Sequence, residues 1–366
     1  MYARTSQGFF SCFLIRGWSL WAACCGLLWT SGCQKQDTPS ATGAGLGKAA
    51  GVVKVYTHRH YPTDKALFAR FEKETGIRVE VVQNAADALI KRIELQGKNT
   101  DADVLITVDA GRLVRAQQKG LLQPIRSKVL EAQIPAHLRD PKGHWFGLTR
   151  RARVIVYAKD RVKAADLPTY ESLAEARWKG KILIRSSNNI YNQSLMASII
   201  AHHGKEKALA WAKGVVTNMA RNPKGSDRGQ MKAIAGGEGD IAVVNTYYIG
   251  LMQTSKSEKD RKVASMLGVI FPNQGDRGAH VNISGAGVVR HARNKAHAVQ
   301  FIEYLSSPAA QQMFAEANHE YPVHPSVQPS KLVSSWGDFR ADTIHLFQLG
   351  DKNSQAVEVF DQAGWR

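Results

Sequence analysis

From Val52 onward, short apolar runs alternate with helical patterns, and this alternation restricts the chain to an α/β architecture with a mostly parallel sheet. Residues 52–56, 78–82 and 103–108 read as strands. Between them, 63–76 has a Thr63 cap, apolar spacing at Leu67, Phe68 and Phe71, and a terminal Gly76. Residues 87–97 form a second such segment, ending at Gly97. A chain of 366 residues is too long for one typical core and implies two lobes. Two extended stretches read as crossings between them: 151–157, and 280–289 with the small residues Ser284, Gly285, Ala286 and Gly287 that let a backbone bend. A ligand gripped by both lobes would stabilise closure about two such hinge strands.

Three strand-to-helix junctions carry tyrosines. Residues 240–245 form an apolar strand that runs into Tyr247 and Tyr248, 181–185 leads through a polar turn to Tyr191, and 52–56 leads through Thr57, His58, Arg59 and His60 to Tyr61. In open α/β sheets, ligands collect outside the carboxyl ends of strands. Paired tyrosines also simply pack, but the same arrangement at three junctions favours a ligand. Each phenol is expected near a helix N-terminus, where the dipole favours a phenolate.

Residues 1–33 read as a targeting segment: Arg4 and Arg16 precede the apolar run 18–29, and Thr30-Ser-Gly-Cys33 looks like a lipobox, with Thr30 in place of the usual leucine. All four cysteines, Cys12, Cys24, Cys25 and Cys33, fall in this segment, so the mature domain has no disulfide or thiolate site. Residues 34–50 read as a flexible tether. The formal net charge is +18, and a chain beginning at Cys33 keeps 47 basic against 31 acidic residues. The charge is scattered through helical patterns, and no zinc-finger spacing, aromatic RNA-binding strand or long basic block points to nucleic acid.

Ionising a phenol at neutral pH costs roughly 4 kcal/mol, since its pKa is about 10. Two unit charges 4 Å apart add about 4 kcal/mol of repulsion at an effective dielectric of 20. A trivalent cation offsets both, because a bound ion inverts the local pKa logic, and hard oxygen donors suit Fe(III). His60 adjoins Tyr61, and imidazole also suits iron. His58 is the weaker candidate, and His202 and His203 read as the charged end of a helix. Of Arg150, Arg151 and Arg153, one near the crossing could neutralise surplus phenolate charge.

On these residues the chain resembles the ferric-iron-binding periplasmic proteins of bacterial ABC importers, from about Val52 to the C-terminus. The motifs are 56–64 (Tyr-Thr-His-Arg-His-Tyr-Pro-Thr-Asp), 151–157 (Arg-Ala-Arg-Val-Ile-Val-Tyr), 185–194 (Arg-Ser-Ser-Asn-Asn-Ile-Tyr-Asn-Gln-Ser), 243–248 (Val-Val-Asn-Thr-Tyr-Tyr) and 282–288 (Asn-Ile-Ser-Gly-Ala-Gly-Val). The resemblance implies a two-lobed periplasmic binding protein fold of class II, similar to transferrin, with Tyr61, Tyr191, Tyr247 and Tyr248 as iron ligands. It places His60 where some members use a histidine, and Arg151 where an arginine stands near the iron or its accompanying anion. Leu251 replaces an arginine found in some tyrosine-rich members, which leaves His60, a bound carbonate or water as candidates for a fifth ligand.

The expected organisation is a signal segment (1–33), a tether (34–50), lobe one from 51–149 and 274–324, and lobe two from 150–273 and 325–366. The resemblance implies a monomeric periplasmic carrier, possessing a lipid anchor if Cys33 is acylated, that hands Fe(III) to a membrane permease and its cytoplasmic ATPase without catalysis. Two rivals stay open: a solute-binding protein of the same fold taking an anion through helix N-termini and Arg151, and a tyrosine/histidine Fe(III) dioxygenase, which needs an open position for substrate.

Overall fold

The computed structural model describes residues 51–59 and 61–366, and within them nine strands share one sheet. They are β1 (Gly51–Thr57), β2 (Ile77–Gln83), β3 (Val104–Thr107), β4 (Phe146–Ala158), β5 (Ile182–Leu183), β6 (Ile241–Asn245), β7 (Leu267–Ile270), β8 (Val281–Val288) and β9 (Tyr321–Pro322). Their order is β2-β1-β3-β8-β4-β6-β5, with β7 and β9 also paired to β4. The targeting segment, the tether, Cys33 and His60 lie outside the described residues.

β4 is the spine of this arrangement. Its first half pairs with β8 from Phe146 to Ala152, and its second half pairs with β6 and β7 from Arg153 to Ala158. β8 pairs in turn with β3 through Gly285–Val288. Two strand groups, one around β1 and β3 and one around β5 and β6, are therefore joined through β4 and β8, which makes the α/β fold two-lobed with two hinge strands. β4 is longer than the 151–157 stretch that sequence patterning suggests, because its apolar start, Phe146 to Leu148, continues the ladder.

The sheet is mixed rather than mostly parallel. β1 runs parallel to β2 and β3, and β5 to β6, but every pairing of β4 and β8 is antiparallel. Helical connections do produce parallel pairs within each lobe. The crossing strands break the rule because each enters from the opposite lobe.

Alternation along the second half of β4 feeds a core on both faces. Val154 and Val156 join Val244, Ile249 and Met252 in one cluster, while Ile155 joins Leu195, Met196 and Trp211 in another. Around β1, Leu67, Phe68 and Phe71 are buried as their spacing predicts, and Phe71 meets the ring of Phe301 at 5.1 Å. The Lys295–Ser306 helix packs on β1, and both it and the Pro308–Asn318 helix pack on the Pro62–Thr75 helix. The C-terminal Asn353–Ala363 helix instead packs on the Ile190–His203 and Lys205–Thr217 helices. Beyond it, Trp365 donates its indole N–H to the Arg185 carbonyl at 3.0 Å. Among the described residues no helix is long and apolar enough to cross a membrane.

Candidate metal centre

Each tyrosine stands where a strand ends and a helix begins. Tyr61 is the N-cap of the Pro62–Thr75 helix, a position that Pro62 enforces because its fixed φ suits the first helical residue. The cap is therefore Tyr61 and not Thr63, whose hydroxyl donates instead to Asn318 Oδ1 at 3.0 Å. Tyr191 lies in the first turn of the Ile190–His203 helix, which starts before Ser194 because Asn189 Oδ1 accepts the Tyr191 backbone N–H at 3.1 Å. Tyr247 and Tyr248 lie in the first turn of Thr246–Gln253.

The structure brings all four together. Tyr247 Oη donates to Tyr191 Oη at 3.2 Å, the Tyr61 and Tyr247 rings meet edge-on at 6.4 Å, and those of Tyr247 and Tyr248 lie 4.3 Å apart. Two oxygens bound to one octahedral ion at about 2 Å would be about 3 Å apart, so the Tyr191–Tyr247 spacing already suits a shared metal. Among the described residues no group of three or more His, Cys, Asp or Glu side chains is placed to hold a metal.

Cations surround the phenols. The guanidinium groups of Arg151, Arg153 and Arg185 lie 5.6, 5.7 and 5.6 Å from the Tyr191 ring centre. Arg151 donates through Nη2 to the Val108 carbonyl at 2.5 Å, and among the described residues its buried Nη1 has no hydrogen-bond partner. A void of about 10 Å³ separates Arg151, Arg153, Tyr191, Asn245, His280 and Asn282. Burial holds the His280 imidazole down to about 3, so it faces this void uncharged.

Sequence reading missed the carboxylates and amides that hold this set. Asp227, fully buried at the start of the Asp227–Ala235 helix, accepts from Arg153 Nη1 at 2.5 Å and from Arg185 Nη1 at 2.8 Å. Arg153 also donates to Asn245 Oδ1 at 3.2 Å and Asn192 Oδ1 at 2.8 Å. Because Asn245 Oδ1 is an acceptor there, its Nδ2 donates to Tyr247 Oη, at 3.2 Å. On the other side, buried Arg59 bonds Asp64 at 3.1 Å, Glu320 at 3.0 Å and Ser284 at 2.7 Å, and lies 5.1 Å from the Tyr61 ring centre. Thr149 donates to the same Glu320 at 2.7 Å, so the Tyr61 turn is tied to both β4 and β8. The available signals were weak: Asn245 directly precedes Thr246 and the tyrosine pair, and Asp227 follows a capping Ser226.

Across the cleft, Ser194 Oγ donates to Asp109 Oδ2 at 2.6 Å, linking the turn after β3 to the Tyr191 helix. His58 is half-buried, and His202 and His203 end their helix as expected, facing Asp342 at 2.9 Å and Glu171 at 3.0 Å.

Without a metal, the surroundings of Tyr61, Tyr247 and Tyr248 favour the neutral phenol, in line with the cost of ionisation argued from sequence. Burial, aided by the Glu320 charge, pushes Tyr61 well above an ordinary phenol, and burial with the neighbouring phenol Tyr191 does the same for Tyr247 and Tyr248. Desolvation outweighs the helix termini here. The unfolded chain releases these protons near pH 10 while the folded one retains them, so stability is full below about pH 10 and falls as pH rises further. Denaturant titrations of the metal-free protein at about pH 8 and 11 should show the loss, and equal midpoints would contradict it.

Comparison with known proteins agrees with this chemistry. The profile of the bacterial extracellular solute-binding proteins matches residues 66–341. "Iron uptake protein A1" of Synechocystis sp. is 47% identical over 333 residues, 91% of this chain and 92% of that protein. The solved structure of Trichodesmium IdiA (FutA) with iron and citrate ligands superposes with a TM-score of 0.83 at 50% identity, over 86% of this chain and 100% of that one. The ferric binding protein from Campylobacter jejuni gives 0.83 at 43% identity, over the same shares.

Proposed function

The chain belongs to the bacterial extracellular solute-binding protein family, and from that premise we propose that it captures Fe(III) between its lobes and delivers it to an ABC importer. One observation carries the reading: four phenols from three separate strand–helix junctions converge, with Tyr191 and Tyr247 oxygens 3.2 Å apart. The relatives named for iron uptake and ferric binding support it.

Tyr61, Tyr191, Tyr247 and Tyr248 are the donors in this proposal. His60, carbonate or water fills the remaining position, and Arg151 offsets surplus negative charge. Lobe one comprises 51–149 and 274–324, and lobe two 150–273 and 325–366. The protein works in the periplasm as a monomer, tethered to lipid if Cys33 is acylated, and its partners are a permease and its cytoplasmic ATPase. It is a carrier and not an enzyme. Because Tyr61, Tyr247 and Tyr248 are held protonated before capture, binding releases protons, and affinity falls as pH drops.

The test is a visible-absorbance titration of the metal-stripped protein with ferric citrate. A phenolate-to-Fe(III) charge-transfer band saturating at one iron per chain is the expected result. A colourless protein, with and without carbonate, would overturn the ferric reading in favour of an anion held by Arg151.

A further inference from the structure

β4 places consecutive arginines on opposite faces of the sheet. Arg151 faces the tyrosines, whereas Arg150 lines a cavity of about 240 Å³ on the other side, shared with His137, Pro322, His324, Gln328 and Pro329. Among the described residues, none that lines this cavity is acidic.

Arg150 differs from the other inward-facing arginines of the crossing. Arg59 is paired with Asp64 and Glu320, and Arg153 with Asp227. Among the described residues Arg150 makes no ion pair; its Nε is buried without a hydrogen-bond partner, and its guanidinium rests 5.8 Å from the Tyr321 ring centre. Burial draws the guanidinium below its usual range, and burial together with Arg150 pushes His137 down as well. Arg150 is half-buried, with its Nε fully desolvated, and a cation drawn partly out of water without a counter-charge is a cost to the fold.

We infer that this cavity is a binding site for a small oxyanion, a phosphate or a compact carboxylate, held by the Arg150 guanidinium. The planar fork of arginine matches both chemistries. His324 contributes a further donor: its Nδ1 accepts the Ser326 backbone N–H at 3.2 Å, which leaves the proton on Nε2. The volume is below the roughly 300–1,000 Å³ of sites for drug-sized ligands, so the occupant is small. Proline rings at 135, 322, 325 and 329 stiffen the walls. The lining comes from the 135–138 turn, from β4 and from the segment that follows β9, so a bound anion would fasten together three parts of the chain that meet behind the hinge strand. The inference does not depend on the metal carried in the cleft.

The experiment is thermal unfolding of the metal-free full chain in increasing inorganic phosphate or, separately, citrate, with Arg150→Met, Arg150→Lys and Arg151→Met variants. A saturable rise in Tm is expected, reduced at least tenfold in apparent affinity by Arg150→Met, reduced less by Arg150→Lys and retained in Arg151→Met. A response to phosphate alone or to citrate alone identifies the class. Without anion, Arg150→Met should itself unfold cooperatively at a Tm no lower than the parent, because it removes an uncompensated cation. An undiminished response in Arg150→Met, its loss in Arg151→Met, or no saturable response to either anion would overturn the assignment.

Discussion

Replacing Tyr191 by phenylalanine is expected to weaken Fe(III) binding by about 100-fold or more, beyond the 10- to 100-fold that outer partners of a metal typically cost. Tyr191 has the densest positive surroundings of the four phenols, with three guanidinium groups within 6 Å of its ring. The substitution removes one oxygen donor and strands the hydrogen that Tyr247 Oη now gives to Tyr191 Oη. Tyr247→Phe should behave similarly and in addition leave the Asn245 amide without its acceptor. Competition against citrate, followed through the charge-transfer band, measures both. An unchanged band energy and affinity in both variants would remove these two residues from the ligand set.

A second large effect is expected from Asp227→Asn, which touches no proposed ligand. The carboxylate is wholly buried and neutralises Arg153 and Arg185 at 2.5 and 2.8 Å. Losing it leaves two guanidinium groups with only neutral acceptors. Breaking a buried pair in this way costs about 3–5 kcal/mol, which for a chain of this size lowers Tm by roughly 10 °C. The double variant Asp227→Asn/Arg153→Met should recover part of the loss, since one orphaned charge leaves with its partner. Thermal unfolding of the metal-free protein reads both, and a drop below about 2 °C for Asp227→Asn would show that neighbouring amides alone suffice. In the single variant Arg153 also loses the anchor that orients Asn245 toward Tyr247, so iron affinity should fall together with stability.

The tyrosines, the strand–helix alternation and the two crossing stretches were legible in the sequence because each is a local pattern. Apolar spacing and a terminal glycine are written within a few turns of one another, as in Leu67, Phe68, Phe71 and Gly76. Several boundaries shifted for equally local reasons, such as Pro62 opening the helix and moving its cap to Tyr61. The mixed sheet was not legible, since the direction in which β4 meets β8 depends on strands more than a hundred residues apart.

Residue types at three junctions and the two crossing stretches pointed to a two-lobed α/β fold with oxygen donors in reach of one another, and the motif resemblance added the expectation of a carrier. The tertiary structure alone decided which charges accompany those donors. Asp227 and Arg153 are 74 residues apart, Arg59 and Glu320 are 261 apart, and Arg150 differs from Arg151 only by the face of β4 on which it falls. Periodicity reports which side chains share one face of one element, whereas the balance of buried charge is settled between elements, where desolvation makes each ion depend on a partner the local pattern cannot name.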